Sequence, residues 1–186
     1  MRKSTFGAFV FFAAFAAFSV KVKSDVARSQ ALKSFSVSVS EGAKPADFHL
    51  PSSDGAIYRL EDEVAGSRVV LINFWATWCP PCRIELPQLE RLYSRYRDSG
   101  LQILAVDVGE DEETVRDFLR RRPVSFPVLL DSERHVAAKY HVEAFPTTIL
   151  LDAEGNVIEV VEGLDPYLAY RVESLLEPES EAVDEY

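Results

Sequence analysis

The chain has 186 residues, of which 20 are Lys or Arg and 30 are Asp or Glu, so its formal net charge is −10. An acidic surface repels phosphate backbones, which argues against nucleic-acid binding. The composition, 47% hydrophobic and 27% charged, is typical of one globular domain with short appendages. Because Cys79 and Cys82 are the only cysteines, a multi-disulfide scaffold and a four-thiolate metal site are both excluded.

The first residues of the chain predict export rather than a part of the fold. A basic pair precedes an apolar run from Phe6 to Val20, and two lysines follow that run. A positive start, an apolar middle and small residues near the exit are typical of a signal sequence. As a helix the run would span roughly 22 Å, less than the ~30 Å hydrocarbon core, but an anchor with snorkelling lysines stays open. Residues 1–20 are therefore predicted as a signal sequence or membrane anchor, and either outcome makes the remainder extracytoplasmic.

Composition divides the rest of the chain into three parts. Residues 21–41 are rich in Ser and Lys without a long periodic pattern, which indicates a tether. Residues 42–177 form the predicted folded domain. Residues 178–186 contain four acids among nine residues, and we expect them to form an acidic disordered tail.

Hydrophobic periodicity predicts alternating strands and helices within the domain. The predicted elements are strands at 47–50, 57–60 and 68–75, a helix at 80–97, a strand at 101–108, a helix at 111–121, a strand at 126–130, a helix at 132–140, strands at 147–151 and 157–161, and a helix at 165–177. This alternation predicts an α/β fold with helices on both faces of a central sheet. The sheet is expected to be mixed, because a hairpin turn joins the last two strands.

The segment WATWCPPC, residues 75–82, lies where the first long strand meets the first long helix. At a helix N-terminus the backbone N–H groups and the helix dipole stabilise a thiolate, which predicts Cys79 as the attacking sulfur. Cys82 lies one turn further, should be less exposed, and would resolve the mixed disulfide. Pro80 and Pro81 fix φ and lack N–H donors that the first helical turn does not need. The segment therefore predicts thiol–disulfide exchange.

The cysteine pair has two alternative uses. A purely structural disulfide would close a very small loop, and stabilisation by loop closure falls with loop size. A zinc site would need two further ligands, and His49, His135 and His141 have no tight spacing to the pair. We therefore expect no metal and no cofactor other than the redox-active disulfide Cys79–Cys82.

In these segments the chain resembles the thioredoxin superfamily, and more closely the extracytoplasmic thiol-disulfide oxidoreductases of the TlpA/ResA type. The resemblance covers about residues 42–177 and is carried by residues 42–48, 70–82, 126–131 and 144–152. It implies a thioredoxin-like fold with an N-terminal β-hairpin and a central insertion. It also implies a reductase that keeps selected extracytoplasmic disulfides open, with the cysteines of apocytochromes c as one family task.

The resemblance further implies a client-binding surface around a second proline. Pro146 matches a proline that is cis in superfamily members and faces the cysteines, so that the backbone of Phe145 can pair with a bound chain. From the local pattern alone, Pro146 could equally be a proline at the start of a strand. The residues assigned to client binding are Trp78, Pro80, Pro81, Phe145 and Thr147.

Glu85 matches a glutamate that lies near the cysteines in TlpA/ResA-like proteins. Three residues after Cys82, it shares a helix face with that cysteine and would tune the thiol pKa and accept or relay a proton. Its alternative is an ordinary exposed helix acid. Asn73 is a departure from thioredoxins, which carry a buried Asp at this position that assists proton transfer.

The expected partners are disulfide-bearing client proteins, apocytochrome c among them, and a membrane thiol that donates electrons. A thiol oxidant or isomerase is the alternative within enzymes, although Pro80 and Pro81 offer no donor that would stabilise the reduced thiolate. A module that binds a client or a soft metal without turnover is the alternative outside enzymes. Copper chaperones of the superfamily use a CxxxC spacing, however, and this chain has CxxC. A peroxidase is disfavoured because no isolated cysteine precedes the pair.

Overall fold

The computed structural model describes residues 39–177. Seven strands and five α-helices follow one another along this part of the chain. They are β1 (His49–Pro51), β2 (Ile57–Arg59), α1 (Leu60–Ala65), β3 (Val69–Trp75), α2 (Pro80–Tyr96), β4 (Leu101–Val108), α3 (Glu112–Arg121), β5 (Val128–Asp131), α4 (His135–Lys139), β6 (Thr147–Leu151), β7 (Val157–Glu162) and α5 (Leu168–Leu176). No helix within residues 39–177 has the length and apolar character needed to cross a membrane.

Five of the strands form a mixed sheet in the order β5-β4-β3-β6-β7. The pairs β3–β4 and β4–β5 are parallel, whereas β3–β6 and β6–β7 are antiparallel. Strands β1 and β2 form a separate antiparallel hairpin. The predicted mixed sheet and N-terminal hairpin are therefore confirmed, and the thioredoxin-like arrangement places the end of β3 between β4 and β6.

Every residue of β3 is buried, as its continuous apolar sequence predicts. Alternate side chains enter different hydrophobic clusters, because successive residues of a strand point to opposite faces of the sheet. Leu71 and Trp75 join a cluster with residues of α2, α3 and α5. Ile72 and Phe74 join a second cluster with residues of the hairpin, α1 and α4. The sheet thus has helices on both faces, as expected.

The structure differs from the sequence prediction mainly in its short elements. The strand expected at 57–60 ends at Arg59, and the unpredicted helix α1 follows at once. Three acidic side chains in the first turn of α1 suit the positive end of its helix dipole. Helix α4 begins at His135 rather than at residue 132, because Arg134 before it has the left-handed φ of 61°.

Several predictions fall on residues that the structure does not describe. The predicted signal sequence or anchor at residues 1–20, most of the tether at 21–41 and the acidic tail at 178–186 lie outside residues 39–177. These assignments and the predicted limits of the folded domain, 42–177, stay predictions.

Candidate active site

Cys79 and Cys82 form a disulfide at the junction between β3 and α2. Cys79 is the N-cap residue of α2, and its Sγ accepts a hydrogen bond from the backbone N–H of Cys82 at 3.2 Å. Both cysteines are buried, with 2% of Cys79 and 1% of Cys82 exposed. Because these fractions are so similar, exposure in the disulfide form does not distinguish the two sulfurs. The position of Cys79 at the N-cap does distinguish them.

The two prolines between the cysteines occupy the first positions of α2. A proline at the start of a helix removes no helical hydrogen bond, because the first N–H groups have no partner within the helix. Pro80 is exposed and Pro81 is half-buried. The neighbouring Trp78 is 60% exposed, an unusually high fraction for a large aromatic side chain. The buried disulfide thus lies beside an exposed apolar surface.

A second loop, between α4 and β6, contacts this surface. The Phe145–Pro146 peptide bond is cis, as the resemblance implies. The Phe145 ring meets the ring of Trp78 edge-on, with 6.0 Å between their centroids. Among residues 39–177, neither the N–H nor the carbonyl of Phe145 has a backbone hydrogen-bond partner. Thr147 is buried, and its hydroxyl donates to the carbonyl of Ala144 at 2.8 Å.

Glu85 is buried rather than an ordinary exposed helix acid, with only 2% of its surface exposed. Its Oε2 accepts a hydrogen bond from Asn73 Nδ2 at 2.8 Å, and the same nitrogen donates to Thr148 Oγ1 at 2.9 Å. Burial raises the pKa of Glu85 to about 7, against the opposing effect of the Asn73 hydrogen bond. This carboxyl group can therefore take up or release a proton near neutral pH.

A second buried carboxyl group, Asp107, was not singled out by the sequence analysis. It lies in β4 directly opposite Trp75 in the strand register and is fully buried. Neither of its carboxyl oxygens has a hydrogen-bond partner among the described residues. Burial raises the pKa of Asp107 to about 9, and the nearby carboxyl group of Glu110 adds to the effect.

Glu110 connects this buried acid to the active-site loop. Its Oε1 accepts from the hydroxyl of Thr77 at 2.6 Å, and its Oε2 accepts from the backbone N–H of the same residue. Thr77 lies two residues before Cys79 in the loop from β3 to α2. Glu110 therefore fixes this loop to the end of β4. An Asp inside the apolar run 101–108 was the one sequence signal that pointed to this side of the site.

These groups can together perform thiol–disulfide exchange. A sulfur at a helix N-cap receives a backbone N–H donor, and a second sulfur lies one turn further on. A buried carboxyl group with a pKa near neutrality lies on the same helix. Unpaired backbone groups at Phe145 and the exposed Trp78 offer contacts to a polypeptide.

The sequence pattern of the AhpC/TSA family matches residues 42–160. The chain belongs to this family. Thiol-disulfide oxidoreductase ResA from Bacillus subtilis is 40% identical over 126 residues, which are 68% of this chain and 69% of that protein. A ResA from Halalkalibacterium halodurans is 36% identical over 140 residues, 75% of this chain and 78% of that protein. The chain is a thiol-disulfide oxidoreductase, as the cysteine pair predicts.

Solved structures support the same family and fold. A crystal structure of a putative thiol:disulfide interchange protein DsbE from Chlorobium tepidum has a TM-score of 0.69 and 32% identity. It covers 76% of this chain and 98% of the other. StoA from Bacillus subtilis has a TM-score of 0.60 and 27% identity, covering 70% of this chain and 96% of the other.

Proposed function

We propose that this enzyme is an extracytoplasmic reductase that opens disulfides in client proteins. The observation that carries the direction of the reaction is how few hydrogen-bond donors reach the attacking sulfur. Among the described residues, Cys79 Sγ accepts one hydrogen bond, from the N–H of Cys82. A disulfide is a strong oxidant when the thiolate of its reduced form is well stabilised, and the dithiol is a reductant when that thiolate is not. The acidic carboxyl group of Glu85 on the same helix would further disfavour the thiolate.

The reaction starts from the reduced enzyme. The Cys79 thiolate attacks one sulfur of the client disulfide, the client S–S bond breaks, and the other client sulfur leaves as a thiolate that takes up a proton. Cys82 then loses its proton and attacks Cys79 Sγ, which releases the second client sulfur as a thiol. Two electrons pass to the client, and the Cys79–Cys82 disulfide forms. A membrane thiol of the same chemistry would return the enzyme to its dithiol form.

Glu85 is proposed to manage the proton of the second step. It lies three residues after Cys82, which puts both side chains on one face of α2. A group with a pKa of about 7 can accept the Cys82 proton and release it again at physiological pH. The Asn73 amide holds one carboxyl oxygen in place at 2.8 Å, while the other oxygen has no partner among the described residues.

Client binding is proposed to use the surface on the other side of the disulfide. The free N–H and carbonyl of Phe145, before the buried Pro146, can pair with an extended client segment as an added strand does. Trp78, Pro80 and Pro81 would contact apolar side chains of that segment, and Thr147 would fix the loop beneath it. The resemblance of this chain to TlpA/ResA-type proteins favours an apocytochrome c as the client, reacting through its cysteines.

The reduction potential of the Cys79–Cys82 pair tests this proposal. We expect a value of about −270 to −220 mV when the full chain is equilibrated with glutathione and dithiothreitol. A value near −120 mV would make the protein a disulfide donor and overturn the reductase assignment. The Cys82→Ser variant gives a second test, because it should accumulate a mixed disulfide between Cys79 and a client peptide. The Cys79→Ser variant is the matched control and should form none.

A further inference from the structure

A groove with three arginines opens beside the active-site disulfide. It has a volume of about 570 Å³, and Arg83, Arg121 and Arg122 line it together with Thr77, Asp117 and Phe118. We call it the arginine groove. Thr77 lies two residues before Cys79, and Arg83 directly follows Cys82. The groove therefore adjoins the disulfide along the chain on both sides of the CxxC segment.

The guanidinium groups of this groove are available to a ligand. On α3, Arg116 pairs with Glu112 and Arg120 pairs with Asp117. No carboxylate among residues 39–177 forms an ion pair with the three arginines that line the groove. The one acid in its wall, Asp117, is the partner of Arg120. The groove thus keeps a net positive charge on a chain whose formal charge is −10.

One of these cations is fixed by aromatic packing. The guanidinium carbon of Arg122 lies 5.1 Å from the centre of the Phe118 ring, a favourable cation–π distance. Phe118 is buried against Trp75, with 5.4 Å between their ring centroids. Trp75 ends the strand that leads into the active-site loop. The position of Arg122 is thereby tied to the strand that carries the disulfide.

The sheet order separates this groove from the Phe145 loop. Strand β3 lies between β4 and β6, so α3, which follows β4, and Pro146, which precedes β6, are on opposite sides of the disulfide. A client chain that reacts with Cys79 and pairs with Phe145 would extend past the disulfide towards the arginines.

We infer that the arginine groove binds an acidic segment of the client protein next to its reacting cysteine. The inference rests on the proposed function, and it adds a preference among clients. Guanidinium groups bind carboxylates through paired, charge-assisted hydrogen bonds, which single lysines do not match. The acidic remainder of the surface repels an acidic client, so attraction at the groove orients it with its disulfide towards Cys79.

Two test peptides measure this preference. Both carry one cysteine as a mixed disulfide with 2-thiopyridine, a neutral leaving group, and differ only in four flanking residues, which are Glu in one and Gln in the other. The reduced full chain should react about tenfold faster with the Glu peptide at low ionic strength. At about 1 M salt the Debye length falls to about 3 Å, and the two rates should become equal.

Paired arginine variants locate the effect. The R121Q/R122Q variant should lose most of the rate ratio between the Glu and Gln peptides. The matched control R95Q/R116Q also removes two positive charges, but at ion-paired positions outside the groove, and should keep the ratio. Reversing the groove charge in R121E/R122E should raise the rate with a third peptide, which carries four Lys, above the wild-type rate with that peptide. A gain in rate cannot arise from misfolding.

The outcomes distinguish a failure of the arginine groove from a failure of the proposed function. Equal rates on the Glu and Gln peptides, or equal losses in R121Q/R122Q and R95Q/R116Q, would overturn the arginine groove while leaving a working reductase. Failure of the wild-type chain to react with either peptide would overturn the proposed function, and the groove inference with it.

Discussion

Two buried carboxyl groups flank the active-site loop, and their surroundings differ. Glu85, on the β6 side, receives a hydrogen bond from Asn73, and its pKa is about 7. Asp107, on the β4 side, has no hydrogen-bond partner among the described residues and faces a second carboxyl group, and its pKa is about 9. Burial is the main cause of the raised pKa in both groups, but the Asn73 hydrogen bond opposes it at Glu85, whereas the carboxyl group of Glu110 adds to it at Asp107. Asp107 therefore stays protonated at physiological pH, whereas Glu85 titrates near it.

The largest expected effect is the change in the pH dependence of the unfolding free energy when Asp107 is replaced. Its pKa is about 9 in the folded state and about 4 unfolded, so the folded chain holds an extra proton between these values and loses stability as pH rises. At pH 7 this amounts to a destabilisation on the order of 4 kcal/mol. Asp107→Asn should remove most of the decline in unfolding free energy between pH 5 and 8, measured by denaturant titration.

A surface substitution provides the control for that measurement. Asp98 has 93% of its side chain exposed, and Asp98→Asn should leave the pH profile of stability close to that of the wild type. If Asp107→Asn retained the full decline in unfolding free energy between pH 5 and 8, Asp107 would not be the group with the strongly raised pKa.

The next largest expected effect is the change in the reactivity of the thiol when Glu85 is replaced. Above pH 7 its carboxylate disfavours the thiolates nearby, so Glu85→Gln should lower the pKa of the reactive thiol by about 1 unit. The rate of attack on 2,2′-dithiodipyridine, measured from pH 5 to 9, should lose its inflection near pH 7. In the wild type, Glu85 should also lower the unfolding free energy by an amount on the order of 3 kcal/mol between pH 4.5 and 7. Glu85→Gln should abolish this decline.

Asp107→Asn is the matched variant here, because it removes the other buried carboxyl group, on the opposite side of the loop, which is already uncharged near pH 7. It should retain the inflection near pH 7. If both variants lost the inflection, the two acids would titrate as one coupled system. Separate pKa values could then not be assigned to Glu85 and Asp107.

The smallest effect concerns the connection between Glu110 and the loop. Thr77→Val removes the hydroxyl that donates to Glu110 Oε1 at 2.6 Å and keeps the side-chain shape. The expected loss is about 1 kcal/mol of stability, because a half-buried hydrogen bond is removed. Amide hydrogen exchange of residues 76–79 should become faster. Thr77→Ser keeps the hydroxyl and should restore slow exchange, whereas equally fast exchange in both variants would contradict the proposed contact.

Much of the fold follows from the sequence because its central strands are continuous apolar runs. The bounds of β4 and β6 are those predicted, and β3 differs by one residue. Helix α1 escaped prediction because six residues are too few to show a helical period. Helices α4 and α5 begin three residues later than predicted. Left-handed backbone at Arg134 precedes α4, and a turn at residues 166–167 precedes α5.

The active site likewise has features that the sequence predicts and features that it does not. The cysteine pair and Glu85 share one helix, so their spacing in the sequence already fixes their relative positions. The contact between Thr77 and Glu110 joins residues 33 positions apart, and no local pattern encodes it. It depends on the parallel pairing of β3 with β4 and on the turn at Gly109. The φ of Gly109 is 83°, a value that residue types other than glycine rarely adopt. Long-range pairs of this kind become visible only in three dimensions.

The sheet order has a consequence for how such enzymes diversify. The cysteines follow β3, whereas the arginines at the end of α3 follow β4 and the Phe145 loop precedes β6. Segments on neighbouring strands can accumulate changes without altering the strand–helix junction that holds the sulfurs. Exchanging residues 112–122 between two relatives keeps Glu110 and its contact with Thr77 in place. This exchange should therefore transfer the choice of client and leave the redox potential unchanged. Recombination between relatives could thus produce new client preferences around a redox centre that stays the same.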